Sequence, residues 1–582
     1  MTKLFISSTK TCSSIFMLSS SPRPTSIGSR YPTAHDNLGQ IYDIIMILKP
    51  KQSQAQAWLC QPPLSGPDSD HHRHRSIGMA AATVHHRPQL QSRNVCVVGG
   101  GMAGLASARE LRREGHAVTV MEQSGDVGGQ WLYDPGTDGR VPSSVYACLR
   151  LLSPREAMGF SDFEFLPRAG AGRDPRRFPG HREVHSYLRD FCHAFGLMDA
   201  VRLNTRVLRV AIADPTSAAT RQWAVRSVRR LGGTEDDARE EEEVFDAVVV
   251  ATGQYSQPML PSGIEGMAEW RLRQLHSHSY RTPEPFRGEA VVVVGCRDSG
   301  KDIALDLCRV AREVHLAASS EAAAPTPAVS KMLANHGDVL RLHPRVRRLH
   351  ADGRVWFEDG SSVVADTVIY CTGYGYSFPF LDTGGAVTVG DGDCVVGPLF
   401  EHVFPPSLAP SLSFVGVPRK VLLPWFFEAQ ARWVAQALSG RRALPPEAEM
   451  LRAVEEHFRA REAAGEPRKH THHYIGGIDY GDLTPMEDWK KELVLSSMAS
   501  MSDDLETFRD RADDSENVRK GVRRWRGGLA AQAQDKTVAA AAEVEGDWQA
   551  MAKKERNSST ELNCTSSSIS EGMFNVLTSH LN

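Results

Sequence analysis

The sequence predicts an α/β fold assembled from two βαβ units, and three observations carry that prediction. A short apolar run, Val95-Cys96-Val97-Val98, leads into Gly99-Gly100-Gly101-Met102-Ala103-Gly104 and then into an amphipathic stretch that Gly115 ends. The pattern recurs from Ala290: Val291–Val294 leads into Gly295-Cys296-Arg297-Asp298-Ser299-Gly300 and a helical stretch to about Val310. The composition is that of a globular chain, with 41% hydrophobic residues, 48 Gly and a net charge of −3 over 582 residues. Such a balance gives no bulk attraction to nucleic acid or anionic lipid. No apolar run approaches the roughly 20 residues that span a bilayer.

Taken in order, residues 1–93 read as a disordered N-terminal extension. The first 35 residues are rich in Ser and Thr and carry no acid, a transit-peptide-like composition, and Met79 offers an alternative start. The His71-His72-Arg73-His74 tract lies in this polar stretch and is read as disordered. After the first glycine turn, Ala117–Glu122 reads as the second strand of a right-handed parallel crossover. A strand ending in Val248-Val249-Val250-Ala251-Thr252-Gly253 follows an acidic stretch, Glu235–Glu243, expected to be a solvated hairpin loop. Glu313–Ala317 closes the second unit, and Thr367–Tyr374 repeats the apolar-strand-then-Thr-Gly pattern. The expected organisation is a first nucleotide domain in 94–254, a second in 255–355, a return segment in 356–488, and a low-complexity tail in 489–582.

The two glycine turns fit dinucleotide pyrophosphates, which defines the fold class as Rossmann-like. Gly99 permits the tight turn, Gly101 lets backbone approach the phosphates, and Gly104 lets helix pack closely on strand. The helix N-terminus adds unpaired N–H groups and a partial positive charge. Glu122 ends the second strand, where a carboxylate binds ribose hydroxyls. Gly128-Gly129-Gln130-Trp131 then brings a second glycine turn and an aromatic toward the cofactor, as expected for FAD rather than NAD. The residues assigned to cofactor binding are therefore Gly99, Gly100, Gly101, Met102, Ala103, Gly104, Glu122, Gly129, Gln130 and Trp131 for the first nucleotide. Gly295, Cys296, Arg297, Asp298, Ser299 and Gly300 are assigned to the second.

With these motifs in order, the chain resembles the class B flavin-containing monooxygenases over roughly Asn94–Asp488. The resemblance rests on GGGMAG, EQSGDVGGQW, SVYACLRLLSPREAMGFSDF, RRFPGHREVHSYLRDF, HSHSY, VVVVGCRDSG, CTGYGYSFPFL and LFEHVFPPSLAPSLSFVG. The most similar subgroup is the plant S-oxygenating branch that acts on methylthioalkyl glucosinolates and related sulfides. The resemblance implies FAD and NADPH as cofactors and an NADPH domain inserted into the FAD domain. It also implies O2 addition at the flavin 4a carbon, and oxygen transfer from that hydroperoxide to a thioether or amine of a small molecule. The cofactor carries the reactive group, so no catalytic triad, paired carboxylates or metal ligands are expected.

Three departures from the family pattern bear on the site. Where the family reads Phe-x-Gly-x-x-x-His-x-x-x-Tyr, this chain has Trp270, Leu272, His276 and Tyr280; a positive φ at Leu272 would be strained or the loop re-routed. Arg297 replaces the small middle residue of the second turn, and either crowds the pyrophosphate or pairs with a phosphate. The Arg often found for the 2′-phosphate is absent from Ala318-Ser319-Ser320, leaving Arg297 or Lys301 as substitutes. Where relatives carry Leu-Arg-Thr-Asn, this chain has Leu149-Arg150-Leu151-Leu152, and Leu152 cannot hydrogen-bond a cofactor amide. His276, Tyr280 and Leu152 are the candidate catalytic positions.

Two other readings are weighed. Flavin disulfide reductases need a redox Cys pair, and the ten cysteines include no C-x-x-C or C-x4-C pair. A flavin-binding protein with weak or uncoupled, oxidase-like activity is the second reading, on Leu152, Leu272 and Arg297. Phe378, Phe380, Phe404, Phe426 and Phe427 read as core, and His470, His472 and His473 are assigned no metal. The expected location is cytoplasmic, or an organelle if the first 35 residues are a true transit peptide.

Overall fold

A computed structural model describes residues 90–136, 143–214, 221–230, 238–318, 325–421, 423–473, 486–511 and 514–527. The transit-peptide-like segment, the His71–His74 tract, Ser319-Ser320 and the last 55 residues lie outside them.

Val95–Val98 and Val291–Val293 are runs of apolar, mostly β-branched residues with neither face polar, which suits a central strand of a parallel sheet covered on both sides. Each run is the middle of such a sheet. The first has the order Leu412–Phe414, Ala247–Val250, Asn94–Val98, Ala117–Met121, Val201–Arg202. The second has the order Leu340–His343, Glu313–Ala317, Ala290–Val294, Thr367–Tyr370, Arg273–His276. Pairing within both is parallel throughout. The chain leaves the first sheet after Val250, completes the second between Arg273 and Tyr370, and returns at Leu412 to the outer edge of the first.

Three expectations need correction. The boundary at 355/356 falls too early, because Thr367–Tyr370 pairs with Val291–Val294 and with Arg273–His276 inside the second sheet. Its four residues are all buried, and the central position between two parallel partners outweighs its closeness in sequence to the return segment. The acidic run is not a loop where it is described: Ala238–Phe245 is the third strand of an antiparallel sheet with Thr205–Ile212 and Trp223–Arg230. Glu242 sits opposite Arg226, and Arg202 pairs with Glu243, so cross-strand charge offsets the weak strand propensity of glutamate.

The third correction concerns the segment expected to be a low-complexity tail from 489. Asp488–Asp503 and 516–527 are helices, and Trp489, Leu493, Val518, Val522 and Trp525 form one buried cluster. Their spacings of four and three residues are the apolar stripe of amphipathic helices, hidden in the sequence by the surrounding charge. The segment touches both halves of the molecule. Lys490 Nζ donates to Glu164 Oε1 (2.7 Å), Arg177 forks onto Asp514, and Arg509 lies 3.6 Å from Asp302 on the second unit's helix.

A buried ion network fixes the first nucleotide helix, Met102–Arg113, against the helix Leu423–Ser439. Arg109 meets Glu110, Asp162 and Glu428, and Arg432 reaches both Glu110 and Glu428. Arg109 and Glu428 are almost fully enclosed. Removing one partner of such a network would strand a desolvated charge, so the network registers the two helices that flank the cavity described next.

Candidate flavin and nicotinamide sites

The first glycine turn is built to a tolerance that excludes side chains. Gly99 has φ +107°, and a Cβ there would lie 2.6 Å from the Ala251 carbonyl. A Cβ on Gly104 would lie 1.8 Å from the Gly99 carbonyl, so helix and strand touch backbone to backbone. Gly101 is the N-cap of Met102–Arg113, with no side-chain cap and no acid in the first turn, which leaves the helix N–H groups open to an anion. Glu122 Oε2 accepts from the Gly100 N–H (2.6 Å) and Oε1 from the Ser124 N–H (2.8 Å). A carboxylate has about four acceptor positions, so this one is oriented and still has capacity for ribose hydroxyls.

The second turn after the acid comes back onto the first. Gly128 N–H donates to the Gly100 carbonyl at 3.0 Å, and Gly129 at φ +56° would clash with Gly101 if it carried a Cβ. Gly129-Gln130-Trp131 is a short 3-10 turn that delivers Trp131 to a cavity of about 550 Å³. Gly99, Gly101, Met102, Ala103, Glu122, Gly129, Gln130 and Trp131 all line this cavity; Gly100 and Gly104 lie behind the lining and shape it. A cavity of this volume lined by an open helix N-terminus and an oriented carboxylate has the character of a dinucleotide site.

The second turn motif repeats the geometry. Gly295 has φ +113° and would place a Cβ 2.5 Å from the Cys371 carbonyl, and a Cβ on Gly300 would lie 1.8 Å from the Gly295 carbonyl. Arg297 caps the helix Asp298–Leu307 through its backbone, and its side chain, like those of Asp298 and Ser299, is exposed. Lys301 lies 3.8 Å from Asp298, and Cys296 is half-buried with its thiol pushed up by burial.

The candidate catalytic positions separate. Tyr280 is fully buried in the second unit's core, donating to Asp306 Oδ2 (2.8 Å) and packing edge-on against Tyr146. It lines no part of the 550 Å³ cavity. Leu152 packs against that same core and is absent from the cavity wall. Leu272 is exposed with no positive φ, so neither strain nor re-routing follows from the missing glycine; Trp270 is a core residue beside it. His276 ends the strand Arg273–His276, buried, with Nδ1 accepting from the His278 N–H (3.0 Å). Its ring meets Tyr374 edge-on and Tyr374 meets Tyr255 at the cavity wall, while His276 itself does not line the cavity.

Burial holds the His276 imidazole down at about 4, which keeps it neutral at physiological pH. His472 is enclosed further: its Nε2 accepts from the Val396 N–H (2.9 Å), its Nδ1 faces His402, and burial with nearby Arg419 holds it at about 3. Both values lie below that of an unfolded histidine. Between pH 6.5 and 4 the unfolded chain therefore binds protons that the native chain refuses, and stability falls as pH falls. Each of the two contributes a loss of about 2 kcal/mol at pH 5 relative to pH 7.5. Asp302 and Glu401, whose carboxyls burial raises, take protons first in the native state and offset part of this. The expected result is a lower urea midpoint at pH 5 than at pH 7.5; equal midpoints would overturn the assignment of neutral buried histidines.

Several cavity residues lay outside the sequence assignment. Thr205–Leu208 and Gln254–Ser256 line it, as do Ser377, Pro379, Phe380, Gly416 and Phe427. Phe380 and Phe427 are thus both packing residues and cavity wall, where the sequence favoured core packing over a binding role. The signal for Gln254 was present in the Thr252-Gly253 turn that precedes it.

Two parallel sheets, two glycine turns with helix packed on strand backbone to backbone, and a cavity beside the first define a flavoprotein oxidoreductase. Comparison with known proteins narrows this. Residues 92–324 and 330–500 match the family model described as flavin-binding monooxygenase-like, and the chain belongs to that family. It is 50% identical over 446 residues to the flavin-containing monooxygenase FMO GS-OX-like 8 of Arabidopsis thaliana, covering 73% of this chain and 94% of that one. It is 43% identical to FMO GS-OX5 of the same plant over 448 residues, 74% of this chain and 93% of that one. Among solved structures it is similar to the S-allyl-L-cysteine S-oxygenase of Allium sativum, at 40% identity and a TM-score of 0.67, covering 75% of this chain and all of that one. The chain is a flavin-containing monooxygenase with FAD and NADPH as cofactors. No helix among the described residues is long and apolar enough to cross a membrane.

Proposed function

We propose that this enzyme transfers one oxygen atom from O2 to the thioether sulfur of a small molecule, with methylthioalkyl or S-alkyl cysteine compounds as the substrate class. The observation that carries this reading is the 40% identity to an S-oxygenase whose entire length is matched. FAD, once reduced by NADPH, supplies the oxygen-activating chemistry. The chain's own part is to bind, orient and exclude water. Gly99–Gly104 and Glu122 would hold the FAD pyrophosphate and ribose, and Gly295–Gly300 would hold NADPH. Trp131, Tyr255, Phe380 and Phe427 give the cavity a largely apolar wall, which keeps water and stray protons from a reactive oxygen species. A thioether sulfur is itself the nucleophile and needs no general base, so the titratable groups at the wall, Glu122 among them, are left to cofactor binding. Leu152 lies away from the cavity, and nothing in the structure favours the weak or uncoupled reading.

The reaction balances as thioether, O2, NADPH and one proton giving sulfoxide, NADP+ and water. The test supplies purified enzyme with a panel of thioethers, tertiary amines and 2-oxo acids, and follows NADPH loss and product mass. A sulfoxide matching NADPH consumed is expected for at least one thioether. NADPH consumption with peroxide and no oxygenated thioether would refute the proposal.

A further inference from the structure

The seam between the two nucleotide-binding halves is closed by a third piece of chain. The helix Asp298–Leu307 carries the second glycine turn at its N-terminus, and Asp302 and Asp306 stand four residues apart on one face of it. That face meets the stretch Tyr146–Leu152 of the first half. Tyr146 OH donates to Asp302 Oδ2, and its ring packs edge-on against Tyr280, which itself donates to Asp306. Arg509, from the segment beyond Asp488 and past residue 500 where the family match ends, enters the same seam with a side chain only 9% exposed. Its Nε donates to the Leu151 carbonyl at 3.1 Å, and its Nη2 lies 3.6 Å from Asp302 Oδ1. Neighbouring contacts each tie the segment to one half: Arg150–Asp510 to the first, Lys331–Asp503 and His336–Glu506 to the second. Arg509 joins both with one head group. Beside it, Leu505 and Phe508 are buried with Phe178 of the first half and Ile303 and Leu307 of the second.

A guanidinium suits this place because its planar fork donates in two directions at once, and a desolvated charge is tolerated only where its partners are fixed. Asp302 is four residues into the helix, about one turn from its N-terminus. A tilt of the helix at Asp302 therefore moves the glycine turn relative to the first half. We propose that Arg509 is a positioning residue for flavin reduction by NADPH: it locks the helix that carries the second turn against Leu149–Leu152, so that nicotinamide and flavin meet in register. The inference rests on the assignment of Gly295–Gly300 to NADPH. Where two reacting groups must be aligned, a misplacement of about 1 Å can cost on the order of 100-fold in rate. A seam that loses Arg509 keeps the Tyr146–Asp302 hydrogen bond, so its loss is smaller.

The test compares the full-length, FAD-loaded parent with Arg509→Met, which keeps an unbranched apolar stem and removes the donors. Without air, the limiting rate of flavin reduction at saturating NADPH is expected to fall about tenfold, with the half-saturating NADPH concentration little changed. Reduction by dithionite, FAD content and melting temperature stay at the parent values. Hydrogen exchange supplies a readout independent of turnover: amides of Tyr146–Leu152 and of Asp298–Leu307 should both exchange faster, because both lose the same clasp. A limiting rate within twofold of the parent overturns the inference. So does faster exchange confined to residues 488–511, which would make Arg509 an anchor of its own segment alone, and so does a rate loss that tracks lost FAD. Should Arg509→Met fail to fold, Asp302→Asn decides by the same measurements and limits, since it removes the ion pair from the opposite side and keeps its shape. Retained NADPH reduction in Gly300→Ala would instead sink the nucleotide assignment, so the two failures are separable.

Discussion

Gly104→Ala is expected to yield a colourless protein that takes up no FAD. The added methyl would sit 1.8 Å from the Gly99 carbonyl, a backbone atom that cannot swing aside. Relief requires the helix Met102–Arg113 to lift from the strand Asn94–Val98, but the Arg109–Glu110–Glu428–Arg432 network holds that helix on its other face. The helix N-terminus then loses its place against the pyrophosphate, and Gly128, which donates to the Gly100 carbonyl, loses its partner. A flavin affinity reduced by a factor of about 1,000 corresponds to roughly 4 kcal/mol, within the range for overpacking combined with lost anion contacts. The absorbance of the purified variant near the flavin band measures it directly. A yellow Gly104→Ala protein would mean that the first turn is not the FAD site.

Gly300→Ala is the matching experiment on the second turn, with a different signature. Its methyl would fall 1.8 Å from the Gly295 carbonyl, so the second helix is displaced in the same way while the first turn is untouched. The variant should keep its flavin, accept electrons from dithionite, and fail to be reduced by NADPH at any rate above a few per cent of the parent. Retained NADPH reduction would separate Gly295–Gly300 from the nicotinamide site. Together the two variants decide which turn serves which nucleotide, because exchanging the assignments exchanges the outcomes.

What could be read from the residues follows from how local each feature is. The closest approach in each turn, Gly104 on Gly99 and Gly300 on Gly295, is between residues five apart, so glycine spacing after an apolar run made the turns legible. Tyr280 and Leu152 were harder, because their positions depend on which sheet the intervening loop packs against, a long-range matter. Gln254 belongs to the same class: its place in the wall comes from Ala251 meeting Gly99 across more than 150 residues. The strand Ala238–Phe245 was missed because glutamate argues for solvent, and only the arginines of the neighbouring strand make pairing favourable. The helices past Asp488 were missed because their apolar stripe, from Trp489 to Trp525, is thin and interrupted by charge.

The return of the chain at Leu412 also sets an order of assembly. The second sheet uses residues 273–370 only, so its strands are all available once that stretch has been synthesised. The first sheet cannot gain its outer strand until Leu412–Phe414 emerges, and the cavity lacks Gly416 and Phe427 until later still. Domains tend to fold as units during synthesis, and long-range pairing is slow. The unit begun first on the ribosome is thus finished second, and the nascent chain must hold an open apolar sheet edge for some 160 residues before flavin can be captured.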